Sequence, residues 1–433
     1  MDEIQSMINE LVSQANRAEA KLLELNQEQV DTIVRAMALA GVDQHMLLAR
    51  LAVEETGIGV YEDKVAKNLF AAEDVYHNIK HIRTVGVIKE EDGFSEVAEP
   101  VGVIAGITPV TNPTATTIFK SLIALKTRNP ILFAFHPKAQ KCSVATAQIM
   151  YQAALKAGAP ENCISWIPRP SLEATQTLMR HNDVSLILAT GGAGLVKAAY
   201  TSGRPALGVG PGNVPAYIEK TANLRRAVAD IIVSKTFDNG TICASEQAVI
   251  VDQAVAAEVK QLFRELGGYF LTAEETSRLS SYVITDPTGS LNPEIVGKPA
   301  TWIATQAGLE VPPDTTVLIA ELEGVGPDYP LSREKLSPIL AFIEAEETKT
   351  AICLCQQMTQ FGGLGHSAVI HSEDKGVIRE FTKRVQAGRL LVNTPSVHGA
   401  IGEIYNANTP SLTLGCGSMG GNSTTDNVSV HNL

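Results

Sequence analysis

The sequence has no paired cysteines and no cluster of basic residues. Its six cysteines are scattered, and none forms a C-x-x-C motif. We therefore expect neither a disulfide framework nor a structural zinc site, and no bound metal. Lysine and arginine total 35 against 47 acidic residues, giving a net charge of −12, and no basic run is longer than Arg225-Arg226. Because phosphate backbones are bound by clustered cations, these numbers argue against a nucleic-acid partner.

Long apolar runs are also missing. No stretch approaches the roughly 18 apolar residues that a membrane span needs, and the first residues lack a basic, apolar secretory leader. These absences predict a cytoplasmic protein without a membrane partner. With 433 residues, 45% of them apolar and 19% charged, the chain is long enough for two or three compact lobes.

The first hundred residues have helical and then hairpin patterns. Apolar residues between Ile4 and Val12 recur at helical spacing. A second helix is expected to begin after Asn26, with Gln29 completing a capping box, and to end at Gly41. Segments 84–88 and 94–98, joined by a polar tip over 89–93, predict a β-hairpin. A projecting ribbon of this kind suits a subunit contact, so we expect a homo-oligomer.

Apolar runs then alternate with helical patterns. Strands are expected over 101–107, 130–135, 165–167, 184–189 and 216–218, and helices over 115–128, 142–157, 171–181, 194–201 and 223–235. This order predicts an α/β fold with a parallel, doubly wound sheet covered by helices on both faces. Such sheets bind ligands beyond the carboxyl ends of their strands.

The residues that follow these strands are small, polar or kinked. Glycines at 191, 192 and 194 open a helix, so a dinucleotide pyrophosphate could approach their amides, although the spacing is not G-x-G-x-x-G and an ordinary turn also fits. A second glycine-rich loop spans 208–213. Asn112 is either a turn former bonded to its own backbone or an amide donor to a developing oxyanion.

Cys243 is the candidate nucleophile. It lies in a segment of small residues, 237–247, just before an apolar run, and we expect the Asn239 amide to lie close by. A thiol presented there, close to backbone amides, suits attack on a carbonyl carbon. The alternative is that Cys243 is a small buried hydrophobe, as most free cysteines are.

Taken in order, the motifs resemble the aldehyde dehydrogenase family, and most closely its acylating, coenzyme A-dependent branch, as found in the N-terminal half of bifunctional aldehyde-alcohol dehydrogenases. The matching segments extend over essentially the whole chain: 109–114, 119–122, 125–129, 189–192, 196–200, 235–240, 334–338 and 415–418.

The resemblance implies a role for each matching residue. Cys243 matches the nucleophile, Asn112 the oxyanion donor acting with the Cys243 backbone N–H, and His366 a histidine that moves protons or steadies the thiolate. Glu334 matches the glutamate near the nicotinamide ribose. The full set of expected cofactor-binding residues is Thr108, Pro109, His136, Pro137, Thr190, Gly191, Gly192, Gly210, Glu334 and Leu336.

Three departures from the wider family matter. Where water-using members carry a general-base glutamate, this chain has Gly208, which favours transfer of the acyl group to coenzyme A over hydrolysis. The segment His136-Pro137-Lys138-Ala139 lacks the carboxylate that disfavours a 2′-phosphate, so NAD is expected but NADP stays open. The chain also lacks the iron-dependent alcohol dehydrogenase half of the bifunctional members, so it is either a fragment of such a protein or a stand-alone enzyme.

We therefore expect reversible NADH-dependent reduction of acyl-CoA, with acetyl-CoA favoured, to an aldehyde and coenzyme A. The alternatives are a hydrolytic aldehyde dehydrogenase that makes free acid and an assembly or filament module. The expected architecture has a cofactor-binding lobe over 1–238, including a bridging hairpin at 84–100, and a catalytic lobe over 239–395. Residues 396–433 would return to the first lobe and the ribbon.

Overall fold

Two parallel sheets and a separate hairpin contain the strands of the described residues. A computed structural model describes residues 3–285 and 289–433. The strands are β1 (Gly86–Glu91), β2 (Phe94–Ala98), β3 (Ile104–Ile107), β4 (Ile131–Ala134), β5 (Ile164–Trp166), β6 (Leu186–Thr190), β7 (Ala206–Val209), β8 (Val214–Ile218), β9 (Glu246–Asp252), β10 (Gly268–Phe270), β11 (Val317–Glu321), β12 (Ile339–Ala345), β13 (Gly365–His371) and β14 (Ala387–Val392).

The helices cover both faces of these sheets. They are α1 (Glu3–Leu22), α2 (Gln27–Thr56), α3 (Tyr61–Leu69), α4 (Val75–Ile79), α5 (Pro113–Lys126), α6 (Gln140–Lys156), α7 (Leu172–Arg180), α8 (Ala193–Tyr200), α9 (Leu224–Thr236), α10 (Gln253–Glu265), α11 (Ala273–Val283), α12 (Ala300–Gln306), α13 (Thr348–Gly362), α14 (Lys375–Arg384) and α15 (Ser396–Ile401). None of the helices in this described part is long and apolar enough to cross a membrane.

The first sheet has the order β5-β4-β3-β6-β7, and all its strands are parallel. The α/β prediction is therefore confirmed for this region. The strand order reverses between β3 and β6, which opens a crevice at their carboxyl ends. Lys120, buried on α5, donates to the carbonyl oxygens of Ile107 (2.6 Å) and Leu188 (2.7 Å) and ties these two central strands together below the crevice.

The second helix extends further than its sequence predicts. Asn26 and Gln29 form the expected capping box, but α2 continues through Gly41 to Thr56 and ends at Gly57, whose φ is 63°. A Cβ at Gly41 would lie 2.9 Å from the Cβ of Ala72, so this glycine allows close helix packing. The prediction that α2 ends at Gly41 is wrong because the glycine serves a tertiary contact rather than a cap.

The β-hairpin prediction is confirmed. Strands β1 and β2 pair antiparallel around a turn at Asp92-Gly93, where Gly93 has a φ of 77°. Four apolar side chains of the ribbon are between 39% and 51% exposed: Val87, Ile88, Phe94 and Val97.

The second sheet has the order β10-β11-β12-β9-β8-β13-β14 and is also parallel. Strand β8 pairs with β9 and β13 in this sheet, although the sequence pattern placed it in one series with the earlier strands. The chain thus passes from the first sheet to the second between Val209, at the end of β7, and Val214, at the start of β8. This crossing comes before the predicted lobe boundary at 238. After α15 the chain returns to the first sheet, where Ser423 Oγ donates to the Ala206 carbonyl oxygen at 2.9 Å.

Candidate active site

A cavity of about 520 Å³ lies between the carboxyl ends of the first sheet and the loop that precedes β9. It brings together every site residue predicted from the sequence except His366: Thr108, Pro109, Asn112, His136, Pro137, Thr190, Gly191, Gly192, Gly210, Cys243, Glu334 and Leu336. These residues are up to 228 positions apart in the chain (336 − 108), so the fold alone assembles them. Their individual roles stay predictions.

Cys243 lies in the loop between α9 and β9, at the wall of the cavity. Its side chain is half-buried and free of any disulfide. Burial, and after it the nearby Glu334 carboxylate, raise the pKa of the thiol to about 12. At neutral pH the resting nucleophile is therefore a thiol, which must lose its proton when it attacks.

His366 lies behind Cys243, at the start of β13. Its Nε2 is 3.1 Å from Cys243 Sγ, and its Nδ1 is 3.1 Å from Ser367 Oγ. Burial and the nearby Arg389 charge lower the pKa of His366 to about 3, so the imidazole is neutral. In this neutral form Nε2 can accept a hydrogen bond from the thiol while Nδ1–H donates to Ser367 Oγ, and this geometry places the imidazole to take the thiol proton during attack.

Arg389 on β14 fixes the position of this histidine. Its guanidinium donates to the carbonyl oxygen of His366 at 2.7 Å and to that of Gly415 at 2.7 Å. These bonds connect β13 to the C-terminal loop through one guanidinium group, and they restrain the backbone at His366.

Asn112 lines the same cavity, at the start of α5. Its Oδ1 accepts a hydrogen bond from Lys67 Nζ at 2.6 Å, and its Nδ2 donates to Thr111 Oγ1 at 3.1 Å. One amide hydrogen remains for a ligand. Asn239, expected near the thiol, instead donates to the Gly297 carbonyl oxygen at 3.0 Å and is not part of the cavity wall.

The glycine loop before α8 has the open backbone that a pyrophosphate requires. A Cβ added at Gly192 or at Gly210 would meet no atom within 4 Å, so both backbones face free space. The amides at the first turn of α8 point toward this space, where a helix N-terminus favours an anion. Thr108 Oγ1, buried at the edge of the cavity, has no hydrogen-bond partner. The residues present therefore fit a bound dinucleotide.

Glu334 is the only carboxylate among the described residues that line the cavity. Its Oε1 accepts a hydrogen bond from the Gly212 amide at 2.8 Å, and burial raises its pKa to about 7. Gly208, at the position where the resemblance places the general-base glutamate of water-using enzymes, is buried in β7. A Cβ there would lie 3.0 Å from Tyr200 and from Val196, so a side chain at 208 would meet α8 rather than the cavity.

Comparison with known proteins agrees with this geometry. The model of the aldehyde dehydrogenase family matches residues 3–266. Aldehyde-alcohol dehydrogenase 2 of Entamoeba histolytica is 52% identical over 98% of this chain and 50% of that protein. The chain belongs to the aldehyde dehydrogenase family. The family resemblance and the fold class expected from the sequence are thereby confirmed.

Two further relatives of this aldehyde dehydrogenase have names that specify acetylation. Succinate-semialdehyde dehydrogenase (acetylating) of Clostridium kluyveri is 41% identical over 98% of this chain and 94% of that protein. The crystal structure of an acetylating aldehyde dehydrogenase from Geobacillus thermoglucosidasius superimposes with a TM-score of 0.97 at 49% identity, covering 100% of this chain and 96% of that one. The chain spans about half the length of the aldehyde-alcohol dehydrogenases that it matches.

Sequence reasoning missed the residues that support the site of this aldehyde dehydrogenase. Lys67 contacts Asn112, Arg389 contacts the His366 backbone, and Asp238 contacts Lys67. Each lies in a different part of the chain from its partner, so no local pattern indicated the contact. The signal that was available is Arg389 in the apolar run 387–392, where a buried charge needs a partner; Lys67, among other charged residues, gave no such signal.

Proposed function

We propose that this chain is an acylating aldehyde dehydrogenase that reduces an acyl-CoA reversibly to an aldehyde and free coenzyme A. The observation that carries the proposal is the 3.1 Å contact between Cys243 Sγ and the neutral His366 imidazole, beside a cavity that Asn112 also lines. Nucleophile, base and oxyanion donor are the three groups that acyl transfer needs.

The protein residues act in sequence. His366 Nε2 accepts the thiol proton as Cys243 Sγ attacks the thioester carbonyl carbon. The Asn112 amide and the Cys243 backbone N–H stabilise the oxyanion, and coenzyme A leaves with the proton that His366 returns. A bound nicotinamide cofactor supplies the hydride that reduces the thioacyl group. Collapse of the resulting thiohemiacetal releases the aldehyde and regenerates Cys243.

The cofactor in this proposal is NAD, with coenzyme A as co-substrate. The loop after β4 leaves NADP as the competing choice, because no carboxylate follows Pro137 to repel a 2′-phosphate. His136 Nδ1 accepts a hydrogen bond from the Lys138 amide at 3.1 Å, which shapes this loop.

The remaining parts of the proposal concern partners and location. We propose a homo-oligomer joined through the β1–β2 ribbon, whose apolar side chains are exposed. The half-length match to aldehyde-alcohol dehydrogenases supports a C-terminal iron-dependent alcohol dehydrogenase half as a partner in a longer protein. Acetyl-CoA is the proposed substrate and the cytoplasm the proposed location.

A hydrolytic aldehyde dehydrogenase is the competing function, and one observation favours it. Glu334 has a pKa of about 7 and lies in the cavity, so it has the proton affinity of a base for water. Against this function, the carboxylate is already bonded to the Gly212 amide, which restrains it.

Steady-state kinetics test the proposal. Acetyl-, propionyl-, butyryl- and succinyl-CoA are each supplied with NADH or NADPH, and aldehyde and free coenzyme A are both quantified. We expect the two products in equal amounts, the highest kcat/KM with acetyl-CoA and NADH, and inactivity of Cys243→Ala. Absence of aldehyde with all four thioesters would contradict the proposed activity. A preference for NADPH would overturn only the choice of cofactor.

A further inference from the structure

A buried lysine pair lies beneath the oxyanion donor. Lys64 and Lys67 are 2% and 3% exposed, and their spacing of three residues places both on one face of α3. Both ammonium groups contact the same carboxylate oxygen, Asp238 Oδ2. Burial alone would raise the pKa of Asp238, but the two lysine charges lower it below its ordinary value, so the carboxylate is ionised.

Asp238 is held in place by several bonds besides those to the lysines. Its Oδ1 accepts from the Val60 amide at 2.7 Å, and its Oδ2 accepts from Thr241 Oγ1 at 2.7 Å. The backbone at Asp238 has a φ of 49°, a left-handed conformation that is costly for a residue with a side chain. A strained, fully buried carboxylate of this kind is a fixed anchor.

The two lysines differ in what else they contact. Lys67 Nζ donates to Asn112 Oδ1 at 2.6 Å and to Thr241 Oγ1 at 3.0 Å, whereas Lys64 Nζ donates to the Thr111 carbonyl oxygen at 2.9 Å. Thr241 is two residues before Cys243. Lys67 therefore links the amide of the proposed oxyanion donor directly to the loop that carries the nucleophile.

This contact decides which way the Asn112 amide faces. A lysine ammonium only donates hydrogen bonds, so the atom next to it must be the amide oxygen. The amide nitrogen then faces away from Lys67, with one hydrogen on Thr111 Oγ1 and the other free. In the flipped orientation the amide oxygen would face the substrate and repel the negative charge that forms there.

We propose that Lys67, anchored by Asp238, is a positioning residue that fixes the Asn112 amide with its N–H toward the reacting carbonyl. This inference rests on the proposed role of Asn112 in acyl transfer. Lys67 does not touch the substrate itself, so its effect must pass through Asn112. Lys64, equally buried on the same carboxylate but without a contact to Asn112, provides the matched control.

The test compares Lys67→Met, Lys64→Met, Asn112→Ala and the double variant Lys67→Met/Asn112→Ala. For each, kcat and KM for acetyl-CoA reduction, NADH affinity and melting temperature are measured. We expect Asn112→Ala to lower kcat by about 100-fold to 1,000-fold, the range for one lost oxyanion donor. Lys67→Met should lower kcat by about 10-fold to 100-fold with little change in KM or NADH affinity, and Lys64→Met by less than about threefold.

The double variant distinguishes positioning from a purely structural role. If Lys67 acts through Asn112, its loss changes kcat by less than about twofold once Asn112 is alanine. The inference would be overturned if the kcat losses of Lys67→Met and Asn112→Ala multiplied in the double variant. It would also be overturned if Lys67→Met and Lys64→Met lowered kcat equally. An unchanged kcat in Asn112→Ala would instead overturn the proposed role of Asn112. Should Lys67→Met fail to fold, Lys67→Gln carries the same comparison, because its amide stays polar toward Asp238 but both donates and accepts, so it no longer dictates which end of the Asn112 amide faces it.

Discussion

The raised pKa of Cys243 predicts how the thiol reacts in the absence of cofactor. A thiol with a pKa of about 12 is ionised in about one molecule in 10⁵ at pH 7, compared with about 3% for an ordinary cysteine with a pKa of about 8.5. Because the thiolate is the species that reacts, alkylation of Cys243 by iodoacetamide should rise about tenfold for each pH unit between 6 and 9, without a plateau. The low pKa of His366, about 3, adds no inflection in this range.

The assay is timed alkylation, followed by acid quench and mass spectrometry of the peptide that contains Cys243. Cys353, exposed on α13, is alkylated in the same sample and controls for reagent concentration. A plateau in the Cys243 rate between pH 6 and 8 would refute the reasoning, because it would mean that a thiolate paired with an imidazolium already exists in the resting site.

Three further predictions follow from the structure. Cys243→Ala should reduce aldehyde formation to below about a thousandth of the unmutated rate, while circular dichroism and NADH affinity stay unchanged, because a loop thiol contributes little to stability; retained turnover would disprove the nucleophile. His366→Ala should slow single-turnover acylation by about 10²-fold to 10⁴-fold without weakening NADH binding, as expected when a general base is lost; an unchanged acylation rate would contradict this. Gly41→Val should destabilise the fold by about 1–3 kcal/mol, because its Cβ would press on Ala72, whereas Gly194→Ala, with open space around it in α8, should not lower the melting temperature.

Local signals were sufficient to predict many of the elements. Asn26 and Gln29 mark the start of α2 because a capping box is formed within four residues, and Asp92-Gly93 turns the hairpin because glycine tolerates a positive φ. The cavity residues that follow strands, such as Asn112, His136 and Gly191, were found because the carboxyl ends of parallel strands meet at one edge of a sheet, whereas Glu334 and Leu336 came only from the family resemblance. Naming the chemistry required the family resemblance in addition.

Long-range contacts account for what the sequence did not indicate. Gly41 resembles a helix end but serves packing against Ala72, a partner 31 positions away (72 − 41). The partners of β8, which place it in the second sheet, come from strands that follow it in the chain. The link between Lys67, Asn112 and Asp238 joins three distant segments, and neither helical nor strand periodicity carries information about it.

The measurement that tests the central claim most directly is the oxidation of acetaldehyde by NAD with and without coenzyme A. Without coenzyme A, we predict a burst of about one NADH per active site followed by a stall, because Glu334, the one carboxylate among the described residues that line the cavity, is held by the Gly212 amide and does not activate water for deacylation. With coenzyme A, turnover should continue and acetyl-CoA should accumulate in step with NADH. Sustained acetate formation without coenzyme A would contradict the account, and Glu334→Gln would then test whether this carboxylate is the base.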